Sequence, residues 1–373
     1  MAEKQAFKDW FDKKAALRLG EQIAFAYPSF DSADFVARAS RGLAKLEMMD
    51  RVKQFSQSFR AGLPDSIPEA LRVIERSFPD PLPDCESVTD GWLQWPVGQF
   101  IADFATEYPE AALDAMHALT QRFSAEFAIR PFVEMYPELV FSRLGDWVLD
   151  PSPHVRRLCS EGIRTRLPWG ARLRSLVADP TPIFPILEAL KDDPELYVRR
   201  SVANNLNDIM KDHPDAVFER CRRWWTGADE RRQGLVRHAL RGAVKAGDPR
   251  ALEILGFTPP RKVSAVLSVE PSQIAIGESV SLALQLDNAS AEDQPLIVDY
   301  AVHYVLDRGK TGRKVFKWTQ KELPARGVLE LRKSHSMKPT TIRTLRPGHH
   351  RIDVQLNGQV VAESSFELSE RRK

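Results

Sequence analysis

The feature that most constrains this chain is a change of hydrophobic period at Thr258-Pro259-Pro260. From Phe7 to about Phe257 apolar residues recur at helical spacing, and the breaks carry Pro, Gly or Asp, as in Phe78-Pro79-Asp80-Pro81 and Asp192-Asp193-Pro194. Beyond the prolines the pattern alternates, in Val263 to Val269, Val280 to Leu286, Leu296 to Val305, Val328 to Leu331, Ile352 to Leu356 and Val360 to Phe366. The chain therefore reads as multidomain: an all-α helical-repeat solenoid over 1–257, then an all-β sandwich over 258–373. Asn357-Gly358 signals a two-residue hairpin. Regularly spaced short strands suit an immunoglobulin-like sandwich, here without an inter-sheet disulfide.

Two segments of the helical body look like copies of one unit. Asp150-Pro151-Ser152-Pro153-His154-Val155-Arg156-Arg157 and Asp193-Pro194-Glu195-Leu196-Tyr197-Val198-Arg199-Arg200 place their Val-Arg-Arg triplets roughly 40 residues apart, within the period of HEAT-type helix pairs. An Asp-Pro turn starts a helix well, because Asp caps free amides and Pro suits the first turn. Fainter copies fall around Leu119 to Phe132 and Leu235 to Ala246. Each helix pair must stack on its neighbours to bury its apolar face.

Composition narrows the function classes. With 43% hydrophobic and 28% charged residues the chain is an ordinary globular one. Its apolar runs are too short and too interrupted to cross a bilayer, and Met1 to Asp12 lacks a secretory apolar core, so a cytosolic protein is expected. Cys85, Cys159 and Cys221 lie far apart and outside any CxxC spacing, which predicts reduced thiols rather than disulfides or a zinc site. There is no His cluster, Gly-rich phosphate loop or nucleophile elbow, so neither a metal nor an organic cofactor is expected. His349-His350 reads as a solvated loop pair.

The polar faces of the repeats hold the candidate chemistry. On the helix from Tyr197 to Lys211, Val198, Val202, Leu206 and Ile209 form the buried stripe and leave Arg200, Asn204 and Asp208 stacked on another face. On the preceding copy Arg157 and Glu161 share a face outside the Val155, Leu158, Cys159 and Ile163 stripe, and Arg122 with Glu126 forms an analogous pair. Taken singly, these are i,i+4 pairs worth about 0.2–0.5 kcal/mol each. Their Arg-before-acid order is the weaker one for a helix, yet it recurs on three units that stacking would align. Alternating Arg and carboxylate suits a phosphodiester with a cationic centre, and it suits a peptide equally. Trp169, after Leu167-Pro168, could project from a loop into the same groove.

Three segments resemble the signatures of the AlkC family, bacterial DNA glycosylases of the HEAT-like superfamily that remove N3-methylated bases. They are Ala125-Glu126-Phe127-Ala128-Ile129-Arg130-Pro131-Phe132, the run Ser160-Glu161-Gly162-Ile163-Arg164-Thr165-Arg166-Leu167-Pro168-Trp169, and Val198-Arg199-Arg200-Ser201-Val202-Ala203-Asn204-Asn205-Leu206-Asn207-Asp208. The resemblance covers the helical body, including Phe7-Lys8-Asp9-Trp10-Phe11, and the sandwich resembles the domain carried by one AlkC subtype. It implies catalytic roles for Asp208, Glu126 and Glu161. It also implies lesion contact by Trp169, substrate binding by Arg157, Arg200 and Asn204, and DNA contact by Arg156, Arg164, Arg166 and Arg199.

The implied substrate is alkylated double-stranded DNA, bound by a monomer with no obligate protein partner. An N3-methylated adenine or cytosine is cationic, so its glycosidic bond is already weakened and no general acid is needed. Carboxylates would then stabilise an oxocarbenium-like sugar and orient water, without the base being flipped. The sandwich adds a basic stretch, Asp307 to Lys314, read as a mobile hairpin in which Arg308, Lys310, Arg313 and Lys314 would meet phosphates as a clamp. The rival reading is a non-catalytic repeat scaffold that binds nucleic acid or peptide.

Overall fold

The computed structural model describes residues 6–83, 85–306, 310–340 and 344–370. Helices α1 (Lys13–Ala26), α2 (Ser32–Ala39), α3 (Met48–Gly62), α4 (Ile67–Ser77), α5 (Trp95–Phe104) and α6 (Pro109–Thr120) open the chain. They are followed by α7 (Arg130–Met135), α8 (Pro137–Trp147), α9 (Pro153–Glu161), α10 (Arg174–Ala178), α11 (Ile183–Leu190) and α12 (Leu196–Ile209). Next come α13 (Pro214–Trp225), α14 (Glu230–Ala246) and α15 (Pro249–Ile254). Sequence chemistry explains many of the starts. Asp12, Asp31, Asp229 and Asp248 accept hydrogen bonds from first-turn amides, and Pro109, Pro131, Pro137 and Pro153 occupy first turns where no amide donor is required.

The two Asp-Pro copies differ in one respect from the sequence reading. Asp150 Oδ1 accepts from the Ser152 amide at 2.7 Å and Asp193 Oδ1 from the Glu195 amide at 2.8 Å, so each carboxylate closes the turn before its helix instead of capping the helix. A short Asp side chain reaches two residues ahead most easily, which is the geometry of an Asx turn. The first Arg of each triplet locks the same turn. Arg156 donates to the Asp150 and Pro151 carbonyls, and Arg199 to those of Asp193 and Pro194. Arg156 also forks onto Asp193 at 2.6 and 3.2 Å, which staples one repeat to the next.

The strands are β1 (Val263–Glu270), β2 (Gln273–Ala275), β3 (Ser279–Asn288) and β4 (Gln294–Val305), then β5 (Thr311–Leu323), β6 (Val328–Ser336), β7 (Gly348–Leu356) and β8 (Gln359–Ser369). They form a sheet of order β1-β3-β6 and another of order β2-β8-β7-β4-β5, all antiparallel except β2 with β8. Leu282, Leu284 and Leu286 from one sheet meet Tyr300, Val302, Ile352, Val354 and Phe366 of the other in the core. Asn357 (φ 47°) and Gly358 (φ 79°) make the β7–β8 turn, as both residues of a primed turn require. His350 is no loop residue: it lies on β7, fully buried and stacked on Phe366, while His349 faces out to Glu367, because strand neighbours point to opposite faces.

The chain parts into two compact units, 1–217 and 218–373. The change of period at the prolines is thus a change of secondary structure, whereas the second compact unit already begins within α13. The cause is burial on the outer side of the five-stranded sheet. Ile297 of β4 packs with Leu252 and Phe257, and the Asn357 side chain donates to the Thr258 and Pro295 carbonyls. Gly247, which ends α14 at φ 75°, lies against Gly358. A Cβ on Gly358 would fall 2.7 Å from the Gly247 Cα. The Gly358→Ala substitution is therefore expected to lower full-chain stability by about 1–3 kcal/mol in a denaturant titration. An unchanged midpoint would mean that this close approach is not present in solution.

Candidate active site

A chain of alternating charges crosses the middle of the first unit. Glu126, in the turn before α7, accepts from Arg157 of α9 at 2.6 Å and from the Ser124 hydroxyl at 2.9 Å. Arg157 also reaches Glu161 at 3.4 Å, one turn along the same helix. Glu161 takes Arg164 at 2.7 Å and the Ser201 hydroxyl of α12 at 2.6 Å. Arg164 continues to Asp208 of α12 at 2.8 Å, and Lys211 closes the series on Asp208 at 3.1 Å. All but Lys211 are largely buried. Three carboxylates from distant parts of the sequence thus share one ion-paired ladder with two arginines and a lysine.

The ladder's electrostatics follow from its burial. Desolvation alone would raise the pKa of Glu161. Arg157, Arg164 and the Ser201 hydroxyl outweigh that cost and hold the carboxyl below its ordinary value of 4.5. Burial likewise opposes the charge of Arg157 and of Arg164, and the flanking carboxylates reverse the effect in both. Arg157 further lies 5.0 Å over the ring of Tyr197, whose hydroxyl burial pushes up to about 12. Arg157, Glu161 and Arg164 thus hold one another in the charged form at the centre of the ladder.

The structure sorts the sequence-predicted residues. Glu126, Glu161, Asp208 and Arg157 meet in the ladder. Arg164, expected at phosphate, has its guanidinium between Glu161 and Asp208, and Arg166 forks onto Asp212 at 3.0 and 2.6 Å. Arg156 and the buried Arg199 bind the Asp-Pro turns. Arg200 is exposed beside a cavity of about 660 Å³ lined also by Tyr197, Pro153 and Glu195, and Asn204 is half-buried further along α12. The Arg122–Glu126 pair does not form. Arg122 donates to the Pro79 and Ala118 carbonyls, and residues 121–129 are turns, so helical spacing does not apply to them. In the sandwich, Lys310 precedes β5, Arg313 reaches Asp353 at 3.4 Å and Lys314 lies over Phe316. Arg308 lies outside the described residues.

Trp169 is 70% exposed and stacks on Trp95 at 6.1 Å with an interplanar angle of 16°. Trp95 in turn stacks on Phe127 at 5.0 Å, and Phe7 lies 6.4 Å from both indoles. This aromatic platform was not legible in the sequence, because Phe7, Trp95, Phe127 and Trp169 share no period. Arg130 was missed as a site residue for a different reason: it sits in a signature segment, but nothing local reveals what a buried arginine holds.

The C-terminal strands match the model described as "Uncharacterised protein YhaZ, C-terminal Ig-like domain" over residues 263–370. The whole chain is 31% identical over 363 residues to the uncharacterized protein YhaZ of Bacillus subtilis (strain 168), covering 97% of this chain and 99% of that one. Among solved structures it resembles the alkylpurine DNA glycosylase AlkC of Pseudomonas fluorescens, bound to DNA containing an abasic site analog. That likeness has a TM-score of 0.91 and 34% identity, covering 98% of this chain and all of the other. A helical-repeat body with a C-terminal immunoglobulin-like domain is the architecture of one AlkC subtype. The chain belongs to the AlkC family, in that subtype.

Proposed function

We propose that this protein is a DNA repair glycosylase that hydrolyses the N-glycosidic bond of cationic N3-methylated bases, 3-methyladenine and 3-methylcytosine, in duplex DNA without flipping the base. The observation that carries this reading is the ladder, which gathers Glu126, Glu161 and Asp208 and is tied through Arg164 to the segment leading to Trp169. The AlkC of Pseudomonas fluorescens, solved with DNA containing an abasic site analog, supports it from outside.

Each part then has a task. Asp208, anchored by Arg164 and Lys211, positions the water and faces the developing sugar charge; its lone pairs exceed the hydrogen bonds it accepts. Glu126 and Glu161 supply fixed negative potential. A unit charge at ~4 Å in an effective dielectric near 20 is worth about 4 kcal/mol, and the arginines reduce that figure. This favours cationic over neutral bases. Trp169 contacts the lesion-bearing nucleotide, Arg200 and Asn204 lie along the same helix as Asp208, and the basic end of β5 contacts the duplex backbone.

The decisive experiment incubates purified protein with methylated duplex DNA and quantifies free 3-methyladenine and 3-methylcytosine by chromatography. Release well above the uncatalysed rate is expected. No release, with duplex binding intact, would favour the scaffold reading.

A further inference from the structure

The Trp169 loop is held in a conformation that its sequence does not favour. Leu167, Pro168, Trp169 and Gly170 form a tight turn closed by a 3.1 Å bond from the Gly170 amide to the Leu167 carbonyl. Trp169, at the third position, has φ 63°. Turns with Pro second and a positive φ third normally place Gly or Asn there, and a bulky residue costs about 1–3 kcal/mol. Something must over-determine this turn.

Arg130, the first residue of α7, grips the residue that follows this turn. Its side chain is buried, and its guanidinium donates from Nε to the Ala171 carbonyl at 2.7 Å, with Nη2 on the same oxygen. Nη1 donates to the Gly162 carbonyl at 3.1 Å and the Arg164 carbonyl at 2.9 Å. Gly170 lies so close that a Cβ there would fall 3.2 Å from Nε. Among the described residues Arg130 forms no ion pair, and burial together with the charge of Arg164 pushes it down to about 10. Burying a cation against carbonyls alone is costly. What it gains is a single fork joining the loop after Trp169 to the backbone between Glu161 and Arg164.

We infer that Arg130 is a positioning residue, which holds the strained Trp169 turn and sets its place relative to the carboxylate ladder. The catalytic consequence rests on the glycosylase reading above; the structural one does not. Lysine cannot substitute, since one ammonium cannot span three carbonyls in a planar fork.

The test uses the full chain with Arg130→Gln and Arg130→Lys, each in the parent and in a Trp169→Ala background. Amide hydrogen exchange should accelerate across 167–172 in both Arg130 variants while protection in α9 and α12 is retained. Excision kcat should fall about 10²-fold with duplex affinity unchanged, the scale of a misplaced contact group. In the Trp169→Ala background the Arg130 substitutions should cost little more. Unchanged exchange across the loop, or an equally large loss of kcat with Trp169 already removed, overturns the inference. A parent protein that excises nothing refutes the glycosylase reading instead, and loop exchange still decides the role of Arg130.

Discussion

Replacing Asp208 with asparagine is expected to lower excision kcat by about 10²–10³-fold, the scale of removing one preorganised electrostatic group from a transition state. Duplex affinity should not change, since Asp208 is buried and its partners are Arg164 and Lys211. The amide oxygen of Asn can still accept from Arg164, and Glu161 still balances that guanidinium, so the fold should persist. Single-turnover kinetics, with a thermal melt as a check on folding, separates the outcomes. An unaltered rate in a folded variant would remove Asp208 from the chemistry. A loss matched by weaker DNA binding would assign it a binding role instead.

The second large effect concerns Arg157. Arg157→Met leaves Glu126 and Glu161 without the cation between them, and breaking a buried pair in this way costs about 3–5 kcal/mol at neutral pH. The sign of the pH dependence follows from Glu161. Its folded pKa is depressed below 4.5, so its stabilisation is complete above the unfolded value and is lost as pH falls through the folded one. The difference between wild type and Arg157→Met should therefore be largest near neutrality and shrink as pH falls below 4.5 towards the depressed folded value, at which Glu161 is protonated and no longer needs its partner. Urea titrations at two pH values measure it. A difference that grows in acid would show that Arg157 does not act through Glu161.

How much of this was legible in advance depends on the range of the interaction. The α12 stripe of Val198, Val202, Leu206 and Ile209 and the Arg157–Glu161 pair follow from helical spacing, and both are present. The same rule failed for Arg122 and Glu126 because a helix was assumed where the chain turns. Arg156 and Arg199, expected at DNA from the family resemblance, bind the turns that begin their own repeats. No periodicity distinguishes an arginine facing solvent from one facing a carbonyl.

The sequence by itself determined the succession of helices and strands, the Asp-Pro repeat and the Asn-Gly turn, because each arises from backbone preference and hydrophobic period within a few residues. It also carried the family signature and hence the identity of the candidate carboxylates. Only the tertiary structure decided which charges neutralise one another, why Trp169 adopts a left-handed turn, and why the second compact unit begins within α13. Those outcomes depend on groups brought together from sites tens of residues apart, as Glu126, Arg164 and Asp208 are. Burial then makes each such contact matter far more than it would in water.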